Sequence, residues 1–348
     1  MAPKEPIHLH PVEPDWAGFL KNLRREATPD RVYYFEHGIA DNVLRELAGR
    51  YGILPERPNG DARLGVGERV AVHRYLGNEL FRLFPKDARF VAPSLDGPWV
   101  HEGAGFVTTW EEFEAFPWPD PAAADFSDFE ALDADLPENM RAFHVLDIWE
   151  VVRALMGFET VCYAIYDDPD LVEAVFAKVG GFVLSVAEAL CDFVSLGAIY
   201  LADDLGHKSG LMLAPEHVRR FILPWHRKLA ALTHQKEKLF FFHSCGDMYA
   251  LMEDYINDVE IDAKHSFEEN VLPVTEVKRR FGDRVALLGG VDVDLLARGS
   301  ASEIRSKTRE ILDVCTPGGG YFLGSGNWVT NYIPVDNYLT MLDEARRT

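Results

Sequence analysis

The chain has 348 residues, 47% hydrophobic and 26% charged, enough to bury a sizeable core without a disulfide or a structural metal. Its formal net charge of -21 repels nucleic acid and anionic membrane surfaces, so an anionic substrate would have to be met by locally focused Arg or Lys. Cys162, Cys191, Cys245 and Cys315 are too few and too irregular for a secreted disulfide framework. The opening residues lack the apolar stretch of a signal peptide and no apolar run reaches the length of a membrane helix, so the cytoplasm is expected.

Residues 1–14 carry four prolines and read as a lead or surface strap. PDWAGFLKNLRRE sets Trp16, Phe19, Leu20 and Leu23 on one helix face, and ADNVLRELAGRYG does the same with Val43, Leu44 and Leu47. GERVAVHRYLGNELFRLF is a third helical candidate. Residues 1–89 therefore read as a helical extension before a larger unit at 90–348. The Pro-, Ala- and Asp-rich stretch 117–137 reads as a surface loop or short helix, and Trp99, Trp110, Trp118 and Trp149 as core or loop anchors.

The carboxyl-terminal half alternates β-prone runs (AIYLADD, KLFFFHSCG, VEIDAKHS, RVALLGGVD, GGYFLGSGN) with amphipathic helices. Strand ends at Asp204 and Ser325 with four repeats between them give roughly 30 residues per unit, the rhythm of a (β/α)8 TIM barrel. A doubly wound open sheet is the alternative, weakened because no G-x-G-x-x-G turn follows a strand in the first half.

Barrel enzymes carry their reactive groups at the carboxyl ends of the strands. Those ends hold Asp203 and Asp204, then His207 and Lys208; His243, Cys245 and Asp247; His265; Gly289, Gly290 and Asp292; and Ser325 and Asn327. His243 and Cys245, at i and i+2, share a strand face and could give an imidazole and a thiolate to one zinc; equally, the first is a hydrogen-bonded strand end and the second a small packing group. Either of Asp203 and Asp204 could be a general base or hold a cationic intermediate, or both could cap the following segment. His265 could be a metal ligand, a proton donor or a polar terminus. His207 and Lys208 are anion contacts or solvated loop residues, while Cys162 and Cys191, in helical surroundings, look inert.

Four ordered motifs, LADDLGHKSGLMLAPEHVRRFILPWHRKL, LFFFHSCGDMYALM, LLGGVDVDLLARGSASEI and GGYFLGSGNWVTNYIPVDNYLTML, make the chain resemble the uroporphyrinogen decarboxylase superfamily. FHVLDIWEVVRALMGFETVCYAIYDDPDLVEAVF resembles that family's upstream helical segment. The resemblance implies a β/α barrel. It points to the methyltransferase-like branch, because the Met-Arg-Gln-Ala-Gly-Arg-like run by which true decarboxylases hold substrate carboxylates is not present. That branch implies methyl transfer between a corrinoid on a partner protein and a small acceptor, often a thiol held on zinc. His243-Ser-Cys245 fits the first part of its zinc motif. The later cysteine is replaced by Gly324-Ser325-Gly326-Asn327, and Cys315 precedes that strand, so His265, Asp204 or Asp292 would supply the third ligand, His265 first. Asp204, His265 and Asp292 are the expected catalytic residues, with His207, Lys208, Ser325 and Asn327 on the substrate. The rival expectations are a metal-free lyase in which Asp204 steadies a cation and a non-catalytic binding barrel; a homodimer is left open.

Overall fold

A computed structural model describes residues 7, 9–55, 63–83, 90 and 105–347. Trp99 and most residues around the expected boundary at 89/90 lie outside the described residues. Two compact units emerge, both discontinuous in sequence. The first comprises Met1–Arg82, Ala134–Ala142 and Asp262–Thr348, and the second Leu83–Asp133 and Phe143–Ile261.

Nine strands are assigned among the described residues: β1 Leu80–Arg82, β2 Arg141–Leu146, β3 Leu196–Ala202, β4 Gly206–His207, β5 Gly210–Leu211, β6 Leu239–His243, β7 Ala263–His265, β8 Ala286–Leu288 and β9 Tyr321–Phe322. β4 and β5 form a small antiparallel hairpin. The other seven follow one another in chain order, with β3 beside β6 in the second unit and β7, β8 and β9 side by side in the first, the order of a β/α barrel and not of a doubly wound sheet with its reversal point.

In the second unit β3 runs parallel to β6, from Ala198 beside Leu239 to Ala202 beside His243. Phe240, Phe241 and Phe242 are fully buried, as the apolar run requires of a strand covered on both faces. Helix Pro169–Cys191 starts on an Asp168 cap and is long and apolar enough to cross a membrane by length and composition, yet 56% of its apolar window is buried inside the fold. Gly180 on this helix lets Trp225 approach so closely that a Cβ there would lie 2.2 Å from the indole. A core helix satisfies both observations.

In the first unit β7, β8 and β9 are parallel neighbours. Tyr34 and Ile39 form isolated parallel bridges to Leu323 and Val329, so the extended segment between them runs along the edge of β9. The expected helices appear as Trp16–Leu23, Asp41–Arg50 and Val66–Leu76. The expected all-helical extension needs correction in two places. Residues 33–39 pair with the last strand, and the third helix stops at Gly77, whose φ of +75° turns the chain so that Leu80–Arg82 becomes β1. The segment expected to be helical from Phe143 likewise opens as β2, with helices only from Trp149. Of the eight strands expected of a barrel, seven are assigned among the described residues, with 33–39 as an extended segment that is only bridged.

Candidate metal and catalytic site

The ends of β3 and β6 in the second unit are laced together. The Asp203 N–H donates to the His243 carbonyl (3.1 Å), and the Asp247 N–H to the His207 carbonyl (2.8 Å). Leu205 N–H donates to Ser244 Oγ (2.9 Å). Gly206 and Gly246 make this possible, since a Cβ on Gly246, at φ +71°, would fall 2.4 Å from the Gly206 backbone carbon.

This lacing sets three potential ligand atoms within 4.8 Å of one another, from Asp204, His243 and Cys245. Cys245 Sγ lies 3.4 Å from His243 Nε2, as expected for side chains at i and i+2. Asp204 Oδ1 lies 3.5 Å from the same nitrogen and accepts the Cys245 N–H at 2.7 Å. His243 is 7% exposed and Asp204 33%, so the cluster is open on the aspartate side. Burial works against the Asp204 charge, yet the His243 ring and the Cys245 N–H outweigh it and hold the carboxyl well below the usual carboxylate range. Burial likewise opposes the His243 charge, but Cys245 and Asp204 beside it push the imidazole up to about 10. Asp204 and His243 therefore face each other as an ion pair, with Cys245 Sγ alongside.

Asp203 faces away from this cluster and is fully buried. Its oxygens accept the N–H groups of Ile148 (3.0 and 3.2 Å) and Glu150 (3.0 Å), at the start of helix Trp149–Met156. The same carboxylate accepts His226 Nε2 at 2.8 Å, and His226 Nδ1 meets the Tyr255 hydroxyl at 2.8 Å. Of the two expected roles for the aspartate pair, Asp203 takes the structural one. Glu150 pairs with Arg153 and has a second, buried oxygen without a protein partner; burial pushes its carboxyl up to about 7, against the pull of Arg153. His207 and Lys208 are exposed on the hairpin, with His207 Nδ1 3.5 Å from Ser209 Oγ.

The remaining expected residues lie in the first unit. His265 closes β7, is fully buried, stacks on His37 (centroids 5.6 Å, 21°) and meets Phe35 edge-on. Ser325 is buried and committed to Glu36: its Oγ donates at 2.6 Å and its N–H at 3.0 Å. Burial pushes the Glu36 carboxyl up to about 8, moderated by those two bonds. Asn327 is half-buried nearby in sequence. Asp292 accepts the Leu295 N–H (2.9 Å) and caps helix Val293–Arg298, a structural occupation of a residue expected to be catalytic. Cys315 ends helix Ala301–Cys315, and burial pushes its thiol up to about 12; Cys191 is pushed up to about 11 in the same way.

Sequence reasoning missed Glu36, His37, Glu150, His226 and Tyr255. The first two carried a signal, because the β-prone run VYYF leads straight into them and a glycine follows, the pattern of the other strand ends. The others sit inside helical patterns, where nothing in the periodicity separates a buried polar residue from a solvated one.

Parallel strands alternating with helices, and a His–Cys–Asp cluster at the adjoining ends of two strands, define a barrel-type α/β protein with a candidate metal centre. Residues 148–348 match the uroporphyrinogen decarboxylase (URO-D) family, more than half of the chain, and the protein belongs to that family. It is similar to the methylated-thiol–coenzyme M methyltransferase of Methanosarcina mazei, 26% identical over 199 residues, covering 57% of this chain and 50% of that one. It is also similar to the uroporphyrinogen decarboxylase of Thioalkalivibrio sulfidiphilus, 25% identical over 198 residues, covering 53% and 50%. These alignments span about half the length of the curated relatives. A solved methyltransferase from Methanosarcina mazei shares the fold, with a TM-score of 0.68 over 97% of this chain and 99% of that one at 17% identity.

Proposed function

We propose that this protein is a methyltransferase that moves a methyl group between a carrier and a small thiol, with Asp204, His243 and Cys245 holding a zinc ion. The observation that supports it is the donor set itself: one nitrogen, one sulfur and one carboxylate oxygen within 4.8 Å. Zinc takes those ligand types, and three protein ligands leave a position for substrate. On this reading Asp204, one of the three candidates for the third ligand, completes the set.

A bound zinc supplies a lowered thiol pKa, so that the substrate arrives as thiolate. The chain's own groups do the rest. The Cys245 N–H and the Trp149 indole, which donates to the Asp204 carbonyl at 3.0 Å, fix the aspartate. The interlocked Gly206 and Gly246 backbones hold the two loops in register. His243, almost wholly buried, is set in place by the end of β6. In the transfer the thiolate lone pair forms the new S–C bond, the carrier keeps the electron pair of the bond that breaks, and the thiol proton passes to solvent. On this reading the carrier is a corrinoid on a second protein, a substrate and not a resident group.

One observation favours a second reading. Asp204 is an ionised, partly exposed carboxylate, which is what a metal-free lyase needs to steady a cationic intermediate. Two measurements separate the readings: zinc content after growth with ample zinc, and methyl transfer from methylcobalamin to a small thiol. The methyltransferase reading expects near-stoichiometric zinc and zinc-dependent transfer. A zinc-free wild-type protein that decarboxylates a carboxylated substrate would establish the lyase.

A further inference from the structure

The Asp203–His226–Tyr255 chain lies outside the donor set, and we infer that it is a positioning device for Asp204. The inference rests on the methyltransferase reading only for its consequence at the metal; the geometry stands without it. Three buried side chains are joined end to end by two contacts of 2.8 Å. Tyr255, whose phenol burial pushes well above its usual range, stays an O–H and donates to His226 Nδ1. His226 Nε2–H then donates to Asp203 Oδ2, which leaves Asp203 as the acceptor for Ile148 and Glu150. Every polar atom in the chain is thereby used, which is how a buried polar network specifies one arrangement.

The chain ties together the start of helix Trp149–Met156, the end of β3, helix Leu223–Gln235 and the turn Tyr255–Val259. Its end point is the residue before Asp204. Consecutive side chains of an extended segment point to opposite sides, so anchoring Asp203 outward aims Asp204 at His243 and Cys245. The anchor is reinforced from both sides, by the Asp203 N–H on the His243 carbonyl and by Trp149, next to Ile148, on the Asp204 carbonyl. Outer-shell partners of this kind commonly change metal affinity by about 10–100-fold.

The reporter is the Cys245 amide, which reads the Asp204 side chain because it donates to Asp204 Oδ1. Amide hydrogen exchange is measured on the metal-free full-length protein for wild type, Tyr255→Phe, His226→Ala and His226→Gln. The inference expects exchange at Cys245 to quicken roughly tenfold or more in His226→Ala, and less in Tyr255→Phe. It expects partial rescue in His226→Gln, which keeps a donor for Asp203. If Ile148 and Glu150 exchange faster in Tyr255→Phe and His226→Ala while Cys245 keeps wild-type protection, the chain only anchors the helix and the inference is overturned. Zinc affinity, by chelator competition, is read on the same proteins. A wild type that binds no zinc sinks the methyltransferase reading and leaves the exchange result to settle the positioning. A zinc-binding wild type whose affinity is unchanged in His226→Ala overturns the positioning alone.

Discussion

Replacing Glu36 with Gln should remove that residue's share of a pH-dependent loss of stability. The Glu36 carboxyl is 5% exposed and shares both oxygens with Ser325, whose N–H and hydroxyl donate to it. Burial moves its pKa from 4.5 to about 8, moderated by the Ser325 bonds. Since the folded value lies above the unfolded one, the folded protein keeps a proton that the unfolded chain has lost between those two values. The group's contribution is therefore full below pH 4.5, declines as pH rises, and levels off above about 8. At 1.36 kcal/mol per pH unit the decline amounts to about 3 kcal/mol by pH 7 and about 4 kcal/mol between pH 5 and 8. Glutamine copies the protonated acid, with its carbonyl accepting the Ser325 N–H and its amide donating to Ser325 Oγ. Denaturant unfolding of wild type and Glu36→Gln at a series of pH values from 5 to 8 should show near-equal stability at the acid end and a widening advantage for Gln. The comparison must be a difference, because Glu79 and Glu150, both pushed up to about 7 chiefly by burial, give the wild type a slope of the same sign. A difference that stays constant across this range would refute the reasoning.

Other consequences follow from single contacts. Gly246→Ala forces a non-glycine residue into φ +71° and a Cβ 2.4 Å from the Gly206 backbone, and should cost about 1–3 kcal/mol or more of stability, read by denaturant unfolding, with loss of the site. In native protein an alkylating reagent should label Cys245 well before Cys191 and Cys315, which are buried with thiols pushed up to about 11 and about 12; peptide mapping after a short exposure checks the order. Cys315→Ala should leave zinc content and methyl transfer intact, since that residue lies at the end of the helix before β9 and not at a strand's carboxyl end. Phe241→Ala, at a fully buried position of β6, should cost roughly 3–5 kcal/mol, measured as a shift in the unfolding midpoint.

The strands of the second half were readable because short apolar runs there end on glycine or polar residues; β6, β7, β8 and β9 fall inside the expected runs, and β3 overlaps its run but begins two residues earlier, at Leu196. β1 and β2 were not. LFR and RAFHVL sit beside helical sequence, and only the left-handed turn at Gly77 and the pairing of Glu79 and Leu83 with Arg141 and Phe143 make them strands. At the site, spacing alone brought His243 and Cys245 together. It could not say which of two adjacent aspartates points inward, because a shift of one residue reverses the faces. Nor could it show that Ser325 is occupied by Glu36 or Asp292 by a helix start, since both partners are tertiary or depend on backbone turns.

The central claim is that Asp204, His243 and Cys245 together bind zinc for thiol methylation. Zinc content and methyl transfer to a small thiol, measured side by side on tag-free wild type and Cys245→Ala grown with ample zinc, test it most directly. The account predicts about one zinc per chain and measurable transfer in the wild type, with both lost in Cys245→Ala. A zinc-free wild type whose activity survives in Cys245→Ala would contradict it.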